Sequence, residues 1–209
     1  MPTGKYTSSG ILISGAKMYT SNGEVRDQSV INNFIIRQDL KSLFKVAQTA
    51  ELEPGLVNIS LEPGKAIVNF PGQPMTMEMS YKRITYGRYL LNWVGTTLWS
   101  LPNNPSRCMQ MADSILLYPV NKLNMQPVPT SGGYTMLYTP SLDYVLNVKP
   151  GALTVPFLSY AFFSNTPPYS ACSWANGDTW NMFNPECIKR LQTGDTLVVQ
   201  SKTVLLKKQ

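Results

Sequence analysis

The sequence predicts a mostly β fold, and three of its properties support that class. Charged residues make up only 14% of the 209 residues, against about 25% in an average soluble domain. Proline (16) and glycine (14) are plentiful, and they separate short runs in which apolar and polar residues alternate. Many short strands with turn signals between them favour an antiparallel sandwich or a barrel.

The first 50 residues hold one strand and the one predicted helix. Residues 10–20 suit a strand and end in Ser21-Asn22-Gly23, a turn sequence, because Asn and Gly tolerate positive φ. Over residues 29–48 apolar residues recur at the spacing of one helix face: Ile36, Leu40, Leu43, Phe44 and Ala47. Either Ser29 or Asp39 could cap this segment. We expect one short helical segment here, in one piece or two.

A short echo in the sequence predicts a β-hairpin. Leu52-Glu53-Pro54-Gly55 recurs as Leu61-Glu62-Pro63-Gly64, and apolar residues alternate with polar ones on both sides of the second copy. Proline followed by glycine at the centre of a turn specifies a type II turn. We therefore expect two strands joined at Pro63-Gly64, with one face buried.

Strand-like runs continue to the carboxyl terminus. They occupy residues 75–81, 83–91, 93–99, 113–120, 134–139, 142–149, 152–163 and 196–206. No shift in composition marks a domain boundary within them. We expect residues 51–209 to form a β-sandwich domain, and residues 1–50 to be an amino-terminal extension that serves as a docking or interface element.

The chain contains no histidine. This excludes Ser-His-Asp and Cys-His catalysis and most zinc sites, because imidazole is the base or the ligand in them. The sequence has no credible Gly-rich phosphate loop or G-x-S-x-G elbow, and the spacing of its carboxylates favours no glycosidase pair. Asp195, which follows Gly194, is expected to cap a turn. The sequence therefore predicts a protein that is not an enzyme and takes no metal or cofactor.

Three cysteines, Cys108, Cys172 and Cys187, form no C-x-x-C motif, which gives no sign of a zinc or redox pair. Cys172 and Cys187 could pair across a loop and leave Cys108 free, or all three could be thiols in a reducing compartment. The amino terminus has no apolar signal region, and the longest apolar run, residues 152–163, is too short to cross a membrane. We expect synthesis in a cytoplasm and no membrane span.

The net charge of +6 comes from 18 basic and 12 acidic residues that are scattered along the chain. The densest basic groups are Lys82-Arg83 with Arg88, Lys189-Arg190 and Lys207-Lys208. The stretch from Lys82 to Arg88 also contains tyrosines, a composition found in phosphate-binding grooves, although a solvated strand face is the simpler interpretation. Without a basic arm, nucleic acid is not expected as a direct specific partner.

The segment 164–187 is the strongest candidate for a binding loop, since long loops in compact domains usually bind something or are ordered by a neighbour. Aromatic rings beside amide and carboxylate groups can hold a sugar, and the residues that would do so are Tyr169, Trp174, Asn176, Asp178 and Trp180. The same composition suits a subunit contact. A third possibility is that the loop covers an open end of the sandwich with its aromatics in the core.

The closing stretch from Leu191 to Val199, Leu-Gln-Thr-Gly-Asp-Thr-Leu-Val-Val, resembles the last turn and strand of jelly-roll modules that trimerise, such as fibre heads and tumour-necrosis-factor-like domains. In composition the chain resembles viral and phage structural proteins. This resemblance implies a jelly-roll-like sandwich in a capsid, spike, fibre or decoration subunit. It also implies residence in a virion, assembly as a trimer or higher homo-oligomer, and contact with other virion proteins. The missing basic arm favours a spike, decoration or minor shell role.

Composition points to oligomerisation independently of that resemblance. A chain with low charge and 22 aromatic residues should expose more apolar surface than a lone monomer tolerates, and contact between subunits would bury it. The expected interface residues are Ile36, Leu40, Leu43, Phe44 and Phe183. The alternative function is a carbohydrate- or receptor-binding head that uses the loop 164–187, with a host glycan as ligand.

Overall fold

A computed structural model describes residues 3–45, 48–50, 57–69, 76–102, 106–149, 152–164 and 176–209. Its strands are β1 (Gly4–Ile13), β2 (Lys17–Thr20), β3 (Gly23–Val25), β4 (Gln48–Ala50), β5 (Asn58–Glu62), β6 (Lys65–Asn69), β7 (Thr76–Thr85), β8 (Arg88–Val94), β9 (Trp99–Pro102), β10 (Asn121–Thr130), β11 (Gly133–Lys149), β12 (Ala152–Ser164), β13 (Asn176–Thr179) and β14 (Asp195–Lys208). The helices are α1 (Gln28–Arg37), α2 (Arg107–Ile115) and a 3-10 helix over Pro185–Arg190.

Eight antiparallel strands close into a barrel in the order β5, β6, β7, β8, β11, β12, β14 and β1, with β1 bonded back to β5. The predicted mostly β, antiparallel fold is confirmed, but the sheet is closed where a two-sheet sandwich was expected. Alternation along a strand reveals which face is buried, and it does so equally in a sandwich and in a barrel. The closure depends on the pairing of β12 with β14, which the local pattern does not encode.

The barrel interior is filled by alternate residues of its strands. In the hairpin of β5 and β6, Ile59, Leu61, Ala66 and Val68 point inward, and Gly64 in the connecting turn has a φ of 76°. The expected hairpin is therefore present. Side chains from the other strands complete this core: Tyr6, Met77, Met79, Tyr81, Tyr89, Leu91, Leu146, Leu153, Val155, Val204 and Leu206.

The barrel has two different ends. At one end β5 joins β6, β7 joins β8 and β11 joins β12 through short connections, and β1 begins and β14 ends there. We call this the turn end. The long excursions leave from the opposite end, where β12 and β14 continue past the barrel and form a second sheet with β13, β2 and β3. One face of that sheet carries α1, and the other carries α2 and the 3-10 helix.

The helices differ from those expected. The helix α1 begins after Asp27, whose carboxylate accepts a hydrogen bond from the Ser29 amide at 2.8 Å, and it ends at Arg37 because Asp39 turns into the left-handed region, with φ 53°. The helix α2 was not expected, and part of it lies in the run 113–120 that the alternation had assigned to a strand. Its buried residues Cys108, Met111 and Ile115 have helical spacing, which competes with strand alternation in so short a run.

The sheet does not divide at residue 50. The strand β1 lies between β14 and β5 in the barrel wall, with Tyr6 opposite Ile59 and Ile11 opposite Val204. The first 50 residues thus supply one barrel strand as well as β2, β3 and α1, which pack on the second sheet.

Candidate functional site

Three strand segments project from the barrel as an arm. The first half of β11, residues 133–141, pairs with β10 on one side and with β9 on the other, whereas its second half pairs with β8 in the barrel wall. Within the described ranges β9 and β10 each bond only to β11. We call these three segments, β9, β10 and residues 133–141, the arm.

The arm is exposed along most of its length. In β10 every residue except Lys122 and Val128 is exposed, and Trp99 and Tyr134 have 40% and 47% of their surfaces open to solvent. Large apolar side chains exposed on or beside the arm are Val94, Leu98, Trp99, Leu117, Leu123, Met125 and Tyr134. A ribbon of this kind has little core of its own, so its stability depends on what it contacts.

One side of the arm is lined mostly by apolar side chains. Residues directly opposite each other in a sheet share a face, and the register aligns Trp99 with Tyr138 and Leu101 with Met136. The side chains on this face are Trp99, Leu101, Pro127, Pro129, Tyr134 and Met136, and we call them the apolar face of the arm. Tyr138 anchors it, since its ring is buried and lies 6.3 Å from that of Trp99.

The outer edge of the arm is protected against the addition of another strand. Pro127 and Pro129 lack the amide hydrogen that a pairing strand would need. The register also shifts between Leu123 and Gln126, where Asn124 has a φ of 51°. Bulges and prolines of this kind are how natural edge strands avoid edge-to-edge association. The outer edge of the arm is therefore a poor template for pairing with another strand.

Polar contacts fix the base of the arm to the barrel. The side-chain amide of Asn92 donates to Ser141 Oγ and to Asp143 Oδ1, each at 2.8 Å. The amide of Asn121 donates to the other oxygen of Asp143 at 3.1 Å. Lys122 Nζ lies 2.6 Å from Asp113 on α2. These bonds hold the arm at a defined position on the barrel.

The expected interface residues near α1 differ in their exposure to solvent. Ile36 is exposed, with 53% of its surface open, and borders a groove of about 670 Å³ between α1 and residues 41–45. Leu40 and Phe44 are buried against Ala161 and Val198, and thus belong to the core of the single chain. Leu43 is half-buried beside them.

Phe183 is also half-buried, and its ring stacks on Tyr19 at a centroid distance of 5.7 Å. It lies against the second core, beside α2 and the 3-10 helix. The sequence pattern did not identify the arm, because the residues of its apolar face come from three strands and meet only through the register.

The residues expected to bind a sugar are not assembled into one described site. Tyr169 and Trp174 lie outside the described residues, and Asn176 lies on β13. The carboxylate of Asp178 accepts hydrogen bonds from Ser159 Oγ at 3.1 Å and from Lys202 Nζ at 2.9 Å. It therefore bonds to β12 and β14 of the second sheet, while 46% of its side chain stays open to solvent.

Trp180 is inside the barrel, with 3% of its surface exposed. Its indole N–H donates to the Val145 carbonyl at 2.7 Å, and its ring contacts those of Tyr144 and Phe157 at centroid distances of 5.1 and 6.1 Å. This placement corresponds to the third possibility for the segment, in which an aromatic ring closes the end of the core.

A buried ion pair that the sequence did not reveal joins α2 to β14. The Arg107 guanidinium is paired with the fully buried carboxylate of Asp195 and donates to the Arg190 carbonyl at 2.9 Å. The same carboxylate accepts the Gln192 amide at 2.7 Å, so Asp195 also caps the turn before β14, as expected. The Phe162 ring lies 5.9 Å below the guanidinium.

The cysteines differ from both interpretations of the sequence. Cys187 is a free, buried thiol, so it is not paired across the loop, and Cys108 is disulfide-bonded. Burial raises the pKa of the Cys187 thiol to about 11. A thiol with so high a pKa is a poor nucleophile and a poor metal ligand, because both roles need the thiolate.

Within the described ranges no three His, Cys, Asp or Glu side chains are grouped to hold a metal ion. No helix among the described residues combines the length and apolarity needed to span a membrane. No family model, no curated protein and no solved structure matches this chain.

Proposed function

We propose that this protein is a non-enzymatic structural subunit of a virus or phage particle, in a spike, decoration or minor shell position, and that it acts by packing against copies of itself. The observation that carries the proposal is the arm, whose apolar face is open to solvent in the single chain. Proteins rarely expose a contiguous apolar surface of this kind without a partner.

The stability of the arm argues for a contact that covers it. Burial of one large apolar side chain contributes about 1.5–3 kcal/mol, and the exposed rings of Trp99 and Tyr134 gain only part of that in the single chain. A second layer over the apolar face would turn a ribbon exposed on both sides into a packed pair of sheets.

A second copy of this chain fits the apolar face better than a partner of other chemistry. Among the described residues, the register places one charged side chain on the apolar face, Lys122, opposite Pro140. Lys122 is already paired with Asp113. Two such faces can therefore meet without burying an unpaired charge, which would be strongly unfavourable. A self-complementary apolar patch is also what a two-fold interface requires.

The assignment to a particle is supported by composition and by the resemblance of residues 191–199. Low charge and many aromatic residues suit a chain that packs between other subunits of an assembly. In the structure the residues 191–199 follow the 3-10 helix and form the turn capped by Asp195 and the start of β14. The sheet closes into a barrel, whereas the resemblance implied a jelly-roll-like sandwich.

Light scattering coupled to size-exclusion chromatography tests the proposal. We expect the wild type to be oligomeric at micromolar concentration, and the double variant Trp99→Glu with Tyr134→Glu to be monomeric with an unchanged circular dichroism spectrum. The matched control is Ser100→Glu with Gln126→Glu, which adds the same charge to the opposite face of the arm and should leave the oligomer intact. A monomeric wild type, or dissociation by both variants alike, would overturn the proposal.

A further inference from the structure

The fold gathers the excess positive charge of the chain at the turn end of the barrel. The β7–β8 hairpin brings Lys82, Arg83 and Arg88 there, and Lys149 comes from the end of β11. Lys65 follows the β5–β6 turn, and Lys5, Lys207 and Lys208 lie where β1 begins and β14 ends. The described acidic side chains at this end are Glu62 and Glu78.

The turn end therefore carries eight basic and two acidic side chains, a net charge of +6 that equals the formal net charge of the whole chain. Six of the eight basic residues are exposed, while Lys65 and Arg88 are half-exposed. In the sequence these residues span positions 5 to 208, and only the up-and-down order of the strands brings them together. A surface of one sign attracts polyanions and raises their rate of encounter.

An exposed aromatic ring lies beside three of these basic residues, Arg83, Arg88 and Lys149. Tyr86, at the tip of the β7–β8 turn, is 90% exposed, and the Arg83 guanidinium lies 5.3 Å from its ring centroid. The turn is held in place, since Gly87 adopts a φ of 73° and its carbonyl accepts the Val148 amide at 2.6 Å. The ring takes no part in a described core cluster, so its exposed face is available to a ligand.

A polar groove of about 630 Å³ runs beside the ring along the outside of the barrel. It is lined by hydroxyl, amide and cationic groups, among them Thr85, Arg88, Asn147, Lys149 and Thr203. Arg88 Nε donates to Asn147 Oδ1 at 3.2 Å, which orients the guanidinium within the groove. Proteins that bind single-stranded nucleic acid combine two elements. Cationic groups contact the phosphates, and flat aromatic rings stack on the bases.

We propose that the turn end binds single-stranded nucleic acid without sequence preference, with the phosphodiester backbone along Lys82, Arg88 and Lys149 and an unpaired base stacked on Tyr86. The stacking platform favours this ligand over other polyanions. Sulfated polysaccharides and anionic lipid headgroups would use the charge but present no flat π face to the ring. Base-paired nucleic acid keeps its bases inside the helix. This inference does not depend on the arm or on the proposed subunit contact.

The chain offers a matched pair of variants, because two Lys-Arg dipeptides lie in different places. Lys82-Arg83 is at the turn end, and Lys189-Arg190 is on the 3-10 helix beside the second core. Replacing either pair by alanines removes two positive charges. Fluorescence anisotropy with a labelled, mixed-sequence single-stranded oligonucleotide at several salt concentrations would compare them.

We expect the Lys82→Ala, Arg83→Ala variant to bind about tenfold or more weakly and to show a shallower salt dependence. The log–log slope should fall by about 0.7 for each phosphate that the variant no longer neutralises. The Lys189→Ala, Arg190→Ala variant should bind within about twofold of wild type, since it leaves the turn end unchanged. Equal weakening in both variants would mean that only overall charge matters and would overturn the proposal.

Tyr86 separates single-stranded nucleic acid from the other polyanions. Stacking of one base is worth about 1–3 kcal/mol, so Tyr86→Ala should weaken binding of the oligonucleotide about 5- to 150-fold, whereas Tyr86→Phe should keep it. Heparin, duplex DNA and vesicles containing phosphatidylserine serve as competing probes. Failure of the single strand to bind, or binding of any of these probes as tightly and with the same response to Tyr86→Ala, would overturn the assignment.

Discussion

The indole nitrogen of Trp180 lies 2.7 Å from the carbonyl oxygen of Val145, so a residue from the excursion between β12 and β14 is bonded into the wall of the barrel. The ring joins the main core with Tyr144 and Phe157. This contact closes the barrel at the end from which the long excursions leave. Trp180 is therefore a core residue, although the sequence had suggested that it binds a ligand.

Replacement of Trp180 should test that structural role. We expect Trp180→Ala to lower the free energy of unfolding by about 3–5 kcal/mol, because it removes a large buried ring. Trp180→Phe should cost less but should still be destabilising, because the Val145 carbonyl loses its donor. Urea unfolding followed by circular dichroism measures both. Tyr86→Ala is the control and should stay within about 0.5 kcal/mol of wild type; an unchanged midpoint for Trp180→Ala would contradict the placement.

The Arg107–Asp195 pair should be costly to break from one side. In Arg107→Ala the fully buried Asp195 side chain loses its cationic partner, and we expect a loss of about 3–5 kcal/mol in unfolding free energy. The double variant Arg107→Met, Asp195→Leu removes both charges and should be less destabilised than the single one.

An exposed ion pair gives the comparison for this prediction. Lys189 and Glu186 are mostly open to solvent, so Lys189→Ala should cost at most about 0.5 kcal/mol. Denaturant titrations of all three variants would supply the numbers. If Arg107→Ala proved no more harmful than Lys189→Ala, the buried pair would not have the structural role assigned to it.

Cys187 should be chemically silent in the folded protein. Since its pKa is raised to about 11, an aromatic disulfide reagent at pH 8 should not modify it until the chain unfolds. The sign of the pH effect follows: the folded state favours the protonated thiol, so this contribution to stability is present below the unfolded pKa and is lost as pH rises from about 9 toward 11. Peptide mapping after labelling, with and without denaturant, identifies the modified residue, and rapid native labelling of Cys187 would refute its burial.

Pro127 and Pro129 should matter for solubility more than for stability. Replacing both by threonine restores two amide hydrogens on the exposed edge of the arm, so strands of different molecules can pair there. We expect the double variant to form β-rich aggregates, measured by turbidity and thioflavin fluorescence, at concentrations where wild type stays clear. Replacing Pro63, in the β5–β6 turn, by threonine is the control and should not aggregate; equal clarity of all three would argue against an edge-protecting role.

The local pattern predicted the β5–β6 hairpin correctly. Apolar and polar residues alternate in Val57–Leu61 and Ala66–Val68, and Pro63-Gly64 lies between them. Residues adjacent in the sequence thus determine both the buried face and the turn type. The helix α2 was missed because Cys108, Met111 and Ile115 supply only two turns of helical spacing, too few to outweigh strand-like residues beside them.

Features that depend on distant partners could not be predicted from the sequence. The barrel closes through β12 and β14. The apolar face of the arm combines Trp99 with Pro127 and Tyr134. The turn end brings Lys5 together with Lys208. The members of each set are far apart along the chain, and only the register and the topology make them neighbours. The basic residues of the turn end look scattered in the sequence, and only the fold brings them together.

The pairing of β12 with β14 runs through twelve consecutive register positions, from Leu153 with Leu206 to Ser164 with Asp195. One half of this ribbon lines the barrel and the other half carries the second sheet with both of its helical covers. Because both cores are built on the same pair of strands, we expect them to unfold together in one cooperative transition. A force that pulls the turn end away from the helices would then act along β12 and β14, the two strands that the barrel and the second sheet have in common.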